Sequence, residues 1–294
     1  MIVTLKNHTM TARIDSIGAQ LISLKSKSGT EYIWQRDPAH WKSSSPLLFP
    51  TVGNCRDGKY TLNGQIYSIP KHGFCRNADF AVSVLSEQEA SFILTDSPET
   101  RAHYPFAFHL KLTYALTEDG IRIHFTVTNP GTGPMYYQLG AHPGFNCPLH
   151  SGERFEDYVL EFEQEGTAGY HSYDLNRMEF NMNSYTPILD HAAVIPLTHE
   201  LFANDAIFFT DLRSKKVALK NQASGYGVEV SYPDFATVAF WTAAATKAPF
   251  LCVEPWNGSA IRSDEDDNFL NRHFLQKVES GESKEYQIWI KKIS

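Results

Sequence analysis

Cysteine is scarce and scattered. Cys55, Cys75, Cys147 and Cys252 form no CxxC pair, so neither a zinc knuckle nor a dense disulfide framework is indicated. Positive charge is also thin. The formal net charge is −7 and no Lys/Arg cluster resembles a nucleic-acid footprint, so no nucleic-acid partner is expected. Long apolar runs are missing as well. The most apolar stretch, Phe235 to Ala245, is too short and too broken by threonine to cross a bilayer. No cleavable signal pattern opens the chain at Met1. No membrane partner is therefore expected, and the natural compartment is the cytoplasm. The chain lacks HExxH, a GxSxG elbow, a P-loop and GxGxxG. Its acidic run, Asp264-Glu265-Asp266-Asp267, lacks the spaced ligands and glycine of a calcium loop. No metal and no cofactor are expected, which leaves acid/base chemistry by histidine and carboxylate.

What is present is alternation. Hydrophobic content of 42% and charged content of 20% are ordinary for a globular chain, and the aromatic share of 13% suits strands and sites with flat apolar faces. Phe108, Leu110, Leu112, Tyr114 and Leu116 alternate with polar residues, then Ile121, Ile123, Phe125 and Val127 do the same after an Asp119-Gly120 turn. This predicts an antiparallel hairpin. Gln20–Lys25 and Glu31–Trp34 read as a second hairpin, and Asp37-Pro38 as the cap of one helical turn. Further strands are expected at Tyr158–Phe162, Ala206–Thr210, Lys216–Lys220, Gly227–Tyr232, Thr237–Trp241, Leu251–Glu254 and Glu285–Ile290. The best helical pattern is Asp264–Leu270, with Ser263 as its N-cap. Strands do not alternate with helices, which argues against doubly wound and TIM-type folds. The fold class is all-β, a single large antiparallel β-sandwich over residues 1–294.

Two stretches share a design: a titratable group followed by proline with an aromatic nearby. His142 stands in Gly140-Ala141-His142-Pro143-Gly144-Phe145, where Pro143 favours extended backbone and Gly144 permits a turn. It is either a proton carrier working near neutral pH or a buried histidine bonded to a carbonyl. Glu254 ends an apolar strand before Pro255-Trp256. A carboxylate there is costly to bury unless it is paired or functional, and both roles are open. Two further turns carry polar groups, Gly53-Asn54-Cys55-Arg56-Asp57 and Lys71-His72-Gly73-Phe74-Cys75-Arg76.

Along essentially its whole length the chain resembles the aldose 1-epimerase (galactose mutarotase) superfamily, and looks closest to its LacX-like branch. The carrying motifs are Ser45-Pro46-Leu47-Leu48-Phe49-Pro50 with Gly53-Asn54-x-Arg56, His72-Gly73-Phe74-x-Arg76, Gly140-x-His142-Pro143-x-Phe145, Asn204-Asp205 and Glu254-Pro255-Trp256-x-Gly258. The resemblance implies a β-supersandwich with an open sugar cleft and interconversion of the α and β anomers of a free aldohexose. It assigns Glu254 as general base and His142 as general acid, with His72 bonding the sugar near the reacting oxygen. Arg56 would orient the substrate and Asp205 would accept bonds from ring hydroxyls. Phe74, Phe145, Trp241 or Trp256 would supply an apolar platform.

Competing local readings stand beside these. Arg56 next to Asp57 makes a turn salt bridge, Asp205 makes a strand-start cap, and Asp211 is a rival for its role. His72-Gly73-x-x-Arg76 also resembles the hexose-6-phosphate epimerase branch, where arginines hold phosphate. A sugar-binding protein on the same scaffold is a third reading. A glycoside-processing enzyme ranks last, because it needs two suitably spaced carboxylates. No sequence feature selects an oligomeric state, a homodimer included.

Overall fold

The computed structural model describes residues 1–294. The predicted hairpin forms as His109–Leu116 and Gly120–Thr128, with Ile121 opposite Leu116 and Val127 opposite Leu110. Its apolar residues are buried on one face while the intervening positions are partly exposed. This hairpin lies within a nine-stranded antiparallel sheet that runs from Thr186–Pro196 at one edge to Ala81–Val84 at the other. The C-terminal strand Ser283–Ile293 is one of its inner strands, between Gly227–Ser231 and Gly120–Thr128.

A six-stranded sheet carries the chemistry. In spatial order its strands are Ile207–Phe209, Thr237–Trp241, Phe250–Asn257, Leu139–Ala141 and Leu47–Leu48, with Gly144–Asn146 also paired to Phe250–Asn257. Side chains alternate between its faces. Ile207, Phe209, Val238, Phe240, Leu251 and Val253 join the main core, a cluster of 62 buried residues. Phe208, Ala239 and Trp256 point the other way into a small aromatic cluster with Tyr173 and Phe180. The sheet is thus covered on both faces, so Phe250–Asn257 is buried at every position and reads as an apolar run rather than an alternation.

Several sequence expectations needed correction. Asp264–Leu270 is not a helix; only a short 3₁₀ turn, Phe269–Asn271, forms there, capped by Asn268. Its carboxylates are drawn to separate partners: Asp264 to Arg262, Glu265 to Arg272 and His273, and Asp267 to Arg56. The α-helix that does form, Pro98–His103, was not expected. Ser97 and Thr100 make a reciprocal capping box there, with Pro98 in the first turn. The strand expected to end at Glu254 continues through Pro255 to Asn257. Glu31–Trp34 meets its neighbours only through single bridges at Glu31 and Ile33. No helix is long and apolar enough to cross a membrane.

Candidate active site

Strand register brings the two titratable groups together. Gly140 lies opposite Trp256 and Gly144 opposite Cys252, so the same register places His142 opposite Glu254. Cross-strand neighbours on one face meet closely: His142 Nε2 lies 3.1 Å from Glu254 Oε2. Period two also puts Cys252, Glu254 and Trp256 on a single face, with Ala239 paired to Glu254 and Trp241 to Cys252 on the next strand. Gly144 does not supply the left-handed turn expected of it, since it lies in a strand. Its role is space, because a Cβ there would come within 2.9 Å of the Trp41 ring. Gly140 clears the Trp256 ring in the same way, at 2.6 Å.

His142 and Glu254 face a cavity of about 240 Å³ whose lining includes Trp41, His72, Arg76, Asp205 and Trp241. Both are buried, Glu254 at 1% exposure. The His142 backbone N–H goes to the Pro46 carbonyl, whereas its ring Nε2 lies beside the carboxylate and its Nδ1 is unpartnered. It is therefore not a structural histidine bonded to a carbonyl. Glu254 makes no ion pair with lysine or arginine, and its Oε1 is also unpartnered. Burial opposes charge on both groups. The Glu254 carboxyl is held well above its ordinary range, first by burial and then by the Asp205 carboxylate, against the smaller pull of Lys71 and Arg76. His142 is pushed down to about 3 by burial, with Arg76 and Lys71 adding to it. Burial thus favours the neutral form of each.

His72 stands on a strained turn. Its φ is 68° and that of Gly73 is 73°, a left-handed region costly for a side chain with a Cβ. The conformation is held by reciprocal bonds to one residue: the His72 N–H donates to Gly53 O at 2.6 Å and the Gly53 N–H donates to His72 Nδ1 at 3.1 Å. Because Nδ1 accepts, the neutral ring carries its proton on Nε2. Burial, then His142, Lys71 and Arg76, keep this ring well below its ordinary pKa. His72 meets His142 edge-on, with centroids 5.7 Å apart.

Aromatic rings wall the cavity. Trp41 stacks on His142 at 5.0 Å and meets Trp241 edge-on at 5.6 Å. Its loop is anchored by the Trp34 indole N–H, which donates to Trp41 O at 2.8 Å, and by Gln20, which accepts from the Ser44 and Ser45 amides. Of the four aromatics considered from sequence, Trp241 and Trp256 line the cavity and the other two do not. Phe145 is fully buried in the core, and Phe74 packs toward Phe108. Trp41, Lys71, Tyr173 and Phe180 line it too and were missed. The Asp37-capped turn just before Trp41 was the available signal; nothing local marks Tyr173 or Phe180.

The polar candidates divide. Asp205 lines the cavity, and its rival Asp211 does not, being bonded instead by the Tyr185 hydroxyl. Arg76 lines it, makes no ion pair, and donates from Nη2 to Ser43 Oγ at 3.2 Å. Arg56 sits apart from them. It lies outside the lining, pulled away by Asp267 at 2.6 Å and Glu179 at 3.2 Å, and its salt bridges are with these distant residues rather than Asp57. His142, Cys252 and Glu254 place three donor atoms within 4.8 Å, the set in the cavity closest to a metal-ligand cluster. Burial holds the Cys252 thiol well above its ordinary pKa, however, and disfavours the thiolate a metal would take.

The cavity thus gathers a histidine–carboxylate pair, a second histidine, a further carboxylate and tryptophan walls, a set of groups able to exchange protons. The family model for aldose 1-epimerase matches residues 1–266, and the chain belongs to that family. It is 34% identical over 284 residues to the chromosomal protein LacX of Lactococcus lactis subsp. lactis, covering 95% of each chain. The structure of a galactose mutarotase related enzyme from Lactobacillus acidophilus superposes with a TM-score of 0.94 at 30% identity, covering 100% of this chain and 98% of that one. A galactose mutarotase-like protein from Lactobacillus casei superposes at 0.91 with 28% identity and full coverage of both chains.

Proposed function

We propose that the protein is a mutarotase that interconverts the α and β anomers of a free aldohexose. The reaction removes a proton from the C1 hydroxyl and gives one to the ring oxygen; the ring opens, the carbonyl rotates, and closure on the other face reverses both transfers. The two oxygens are bonded to the same carbon, so an acid and a base that reach both must themselves be neighbours. His142 Nε2 and Glu254 Oε2, 3.1 Å apart in the cavity, meet that demand. This single observation carries the proposal.

Glu254 is the base at the C1 hydroxyl and His142 the acid at the ring oxygen. A raised carboxyl pKa makes Glu254 a stronger base once ionised, and a depressed histidine pKa makes His142 a ready donor once protonated. Moving one proton from Glu254 to His142 arms both at no change in net charge. His72 offers its Nε2–H to the oxygen on which charge develops. Asp205 accepts from ring hydroxyls, and Trp41 and Trp241 supply apolar faces for the sugar. Lys71 and Arg76 each pull the Glu254 pKa down and so favour its ionised form.

One observation favours a second reading, a hexose 6-phosphate. Lys71 and Arg76 both line the cavity without an ion pair, the type of unspent cation that receives phosphate. Anomer exchange by NMR saturation transfer on glucose, galactose and their 6-phosphates, with Glu254→Gln as control, separates the readings. Acceleration on a free sugar, lost in the variant, is the expected result. Acceleration confined to a phosphate that is lost in Arg76→Gln would select the second reading. No acceleration on any of the four would remove the mutarotase assignment for these sugars and leave a sugar-binding protein.

A further inference from the structure

Arg56 stands outside the cavity, yet the Glu179 side chain it holds belongs to the hairpin whose Tyr173 and Phe180 line one wall. We propose that Arg56 is a positioning residue: through the buried Glu179 carboxylate it locks the hairpin of Tyr173–Asp174 and Glu179–Phe180 against the body of the protein. The part of this proposal that concerns sugar affinity rests on the mutarotase reading.

The hairpin is too short to hold itself. Only two residue pairs join its strands, Tyr173 with Phe180 and Asp174 with Glu179, and an isolated two-stranded ribbon is marginal in water. Its turn exposes Leu175 and Met178 to solvent, so apolar burial at the tip does not fix it. Its two aromatics nevertheless line the cavity, with Phe180 stacked on Phe208 at 4.7 Å. Backbone bonds from Phe180 N–H to Ile261 O and from Ser263 N–H to Phe180 O hold its second strand, and polar side chains add to them.

The Glu179 carboxylate, with its side chain 2% exposed, pairs with Arg177 at 2.8 Å and Arg56 at 3.2 Å. Arg177 belongs to the hairpin itself and is largely exposed, so it cannot tie the hairpin to anything. Arg56 is the ion-pair link across, and its other terminal nitrogen grips Asp267 at 2.6 Å. Two residues earlier, Asn54 works on the same hairpin. Its Nδ2 donates to Met178 O at 2.6 Å, and its Oδ1 accepts from the Tyr173 hydroxyl at 3.0 Å. The Gly53-Asn54-x-Arg56 motif is therefore a three-part clamp. Gly53 holds the His72 ring, Asn54 holds the tip and Tyr173 of the hairpin, and Arg56 holds its buried carboxylate. Removing either Arg56 or Glu179 breaks the ion pair that ties the hairpin to the Asp267 side, so the hairpin should loosen whichever end is cut.

The test uses Arg56→Gln, Glu179→Gln, their double variant, Arg56→Lys and Asn54→Ala in the full chain. Amide hydrogen exchange is read at Phe180, whose N–H donates to Ile261 O, and at Asn181, whose N–H donates to Ser172 O. Loss of a charge-assisted bond predicts exchange about 10-fold faster at these amides, with the sheet Phe250–Asn257 unchanged. Anomer-exchange kinetics should show a raised KM, kcat within about twofold and an unshifted pH profile, because Glu254 and His142 stay in place. The double variant should be no worse than the worse single one, and Arg56→Lys should recover most of the loss. If Arg56→Gln weakened catalysis while Glu179→Gln left exchange and KM at wild-type values, Arg56 would be a direct sugar ligand and the proposal would fall. Unchanged exchange in every variant would also overturn it. Asn54→Ala keeps the question answerable if a charge variant does not fold. The exchange arm decides the matter even if no sugar turns over, so failure of the clamp and failure of the mutarotase reading are separable.

Discussion

Glu254→Gln is expected to do two opposite things: abolish turnover and raise stability above neutral pH. Wild-type Glu254 is 1% exposed, with Oε1 unpartnered and a histidine as its neighbour. Its folded pKa is raised, chiefly by burial. The favourable contribution of its protonated form is fully present below the unfolded value of about 4.3 and is lost as pH rises through the raised folded value. Each unit of elevation corresponds to about 1.4 kcal/mol, or about 2 °C in Tm for a chain of this size. Glutamine keeps a polar group opposite His142 and never ionises. The Tm difference, variant minus wild type, should therefore grow more positive from pH 4.5 to pH 9. His142, pushed down to about 3, and His72, also lowered, work in the other direction. Their stabilisation is present above the unfolded value of about 6.5 and is lost as pH falls toward the folded values. That loss is common to both proteins and largely cancels in the difference. Thermal melts followed by circular dichroism at four pH values read the effect directly. A flat difference, or one in which the wild type gains as pH rises, would show that Glu254 is not a buried carboxyl of raised pKa, and the basis of its assignment as a tuned base would go with it.

His142→Asn should lower kcat by about 10²- to 10⁴-fold with the fold intact, measured by anomer exchange and circular dichroism; wild-type kcat would remove its role as acid. Gly73→Ala places a Cβ 2.1 Å from Phe49 O at a φ of +73°, and should cost about 2–4 kcal/mol in urea unfolding while disturbing the His72 ring. Trp41→Ala removes the ring stacked on His142 at 5.0 Å. It should raise KM several-fold, since such contacts contribute about 0.5–1.5 kcal/mol; an unchanged KM would exclude Trp41 from the sugar platform.

The fold was legible wherever a strand has one wet and one dry face. The hairpin His109–Leu116 and Gly120–Thr128 displays period two along its length and appears in the register its alternation predicts. Thr237–Trp241 also forms with the expected limits. Thr186–Pro196 was not seen because its pattern is mostly exposed and holds prolines at both ends of an edge strand. Pro98–His103 was not seen because six residues are too few for a helical period, and its capping box uses Thr100 in place of the glutamate or glutamine that marks most such boxes. Asp264–Leu270 failed in the opposite sense. The local signals for a helix start are real, but Arg272 and His273 converge on Glu265 while Arg56 takes Asp267, and tertiary pairing outweighs a weak helical preference.

The site was legible in its parts and not in its assembly. His142 and Glu254 each stood out locally, as a titratable group ahead of a proline. Their meeting depends on an antiparallel register between segments more than a hundred residues apart, which no local pattern encodes. Arg56 shows the same limit from the other side. Its motif resembles one that holds sugar, and its neighbour Gly53 does line the cavity. Yet a guanidinium goes where buried negative charge is, and here that charge is Glu179, 123 residues further on. That carboxylate is 2% exposed and takes Arg56 at 3.2 Å beside Arg177 at 2.8 Å, so its buried charge draws two cations. The arginine therefore lies with that buried charge rather than in the cavity lining, which is the arrangement the proposed clamp requires.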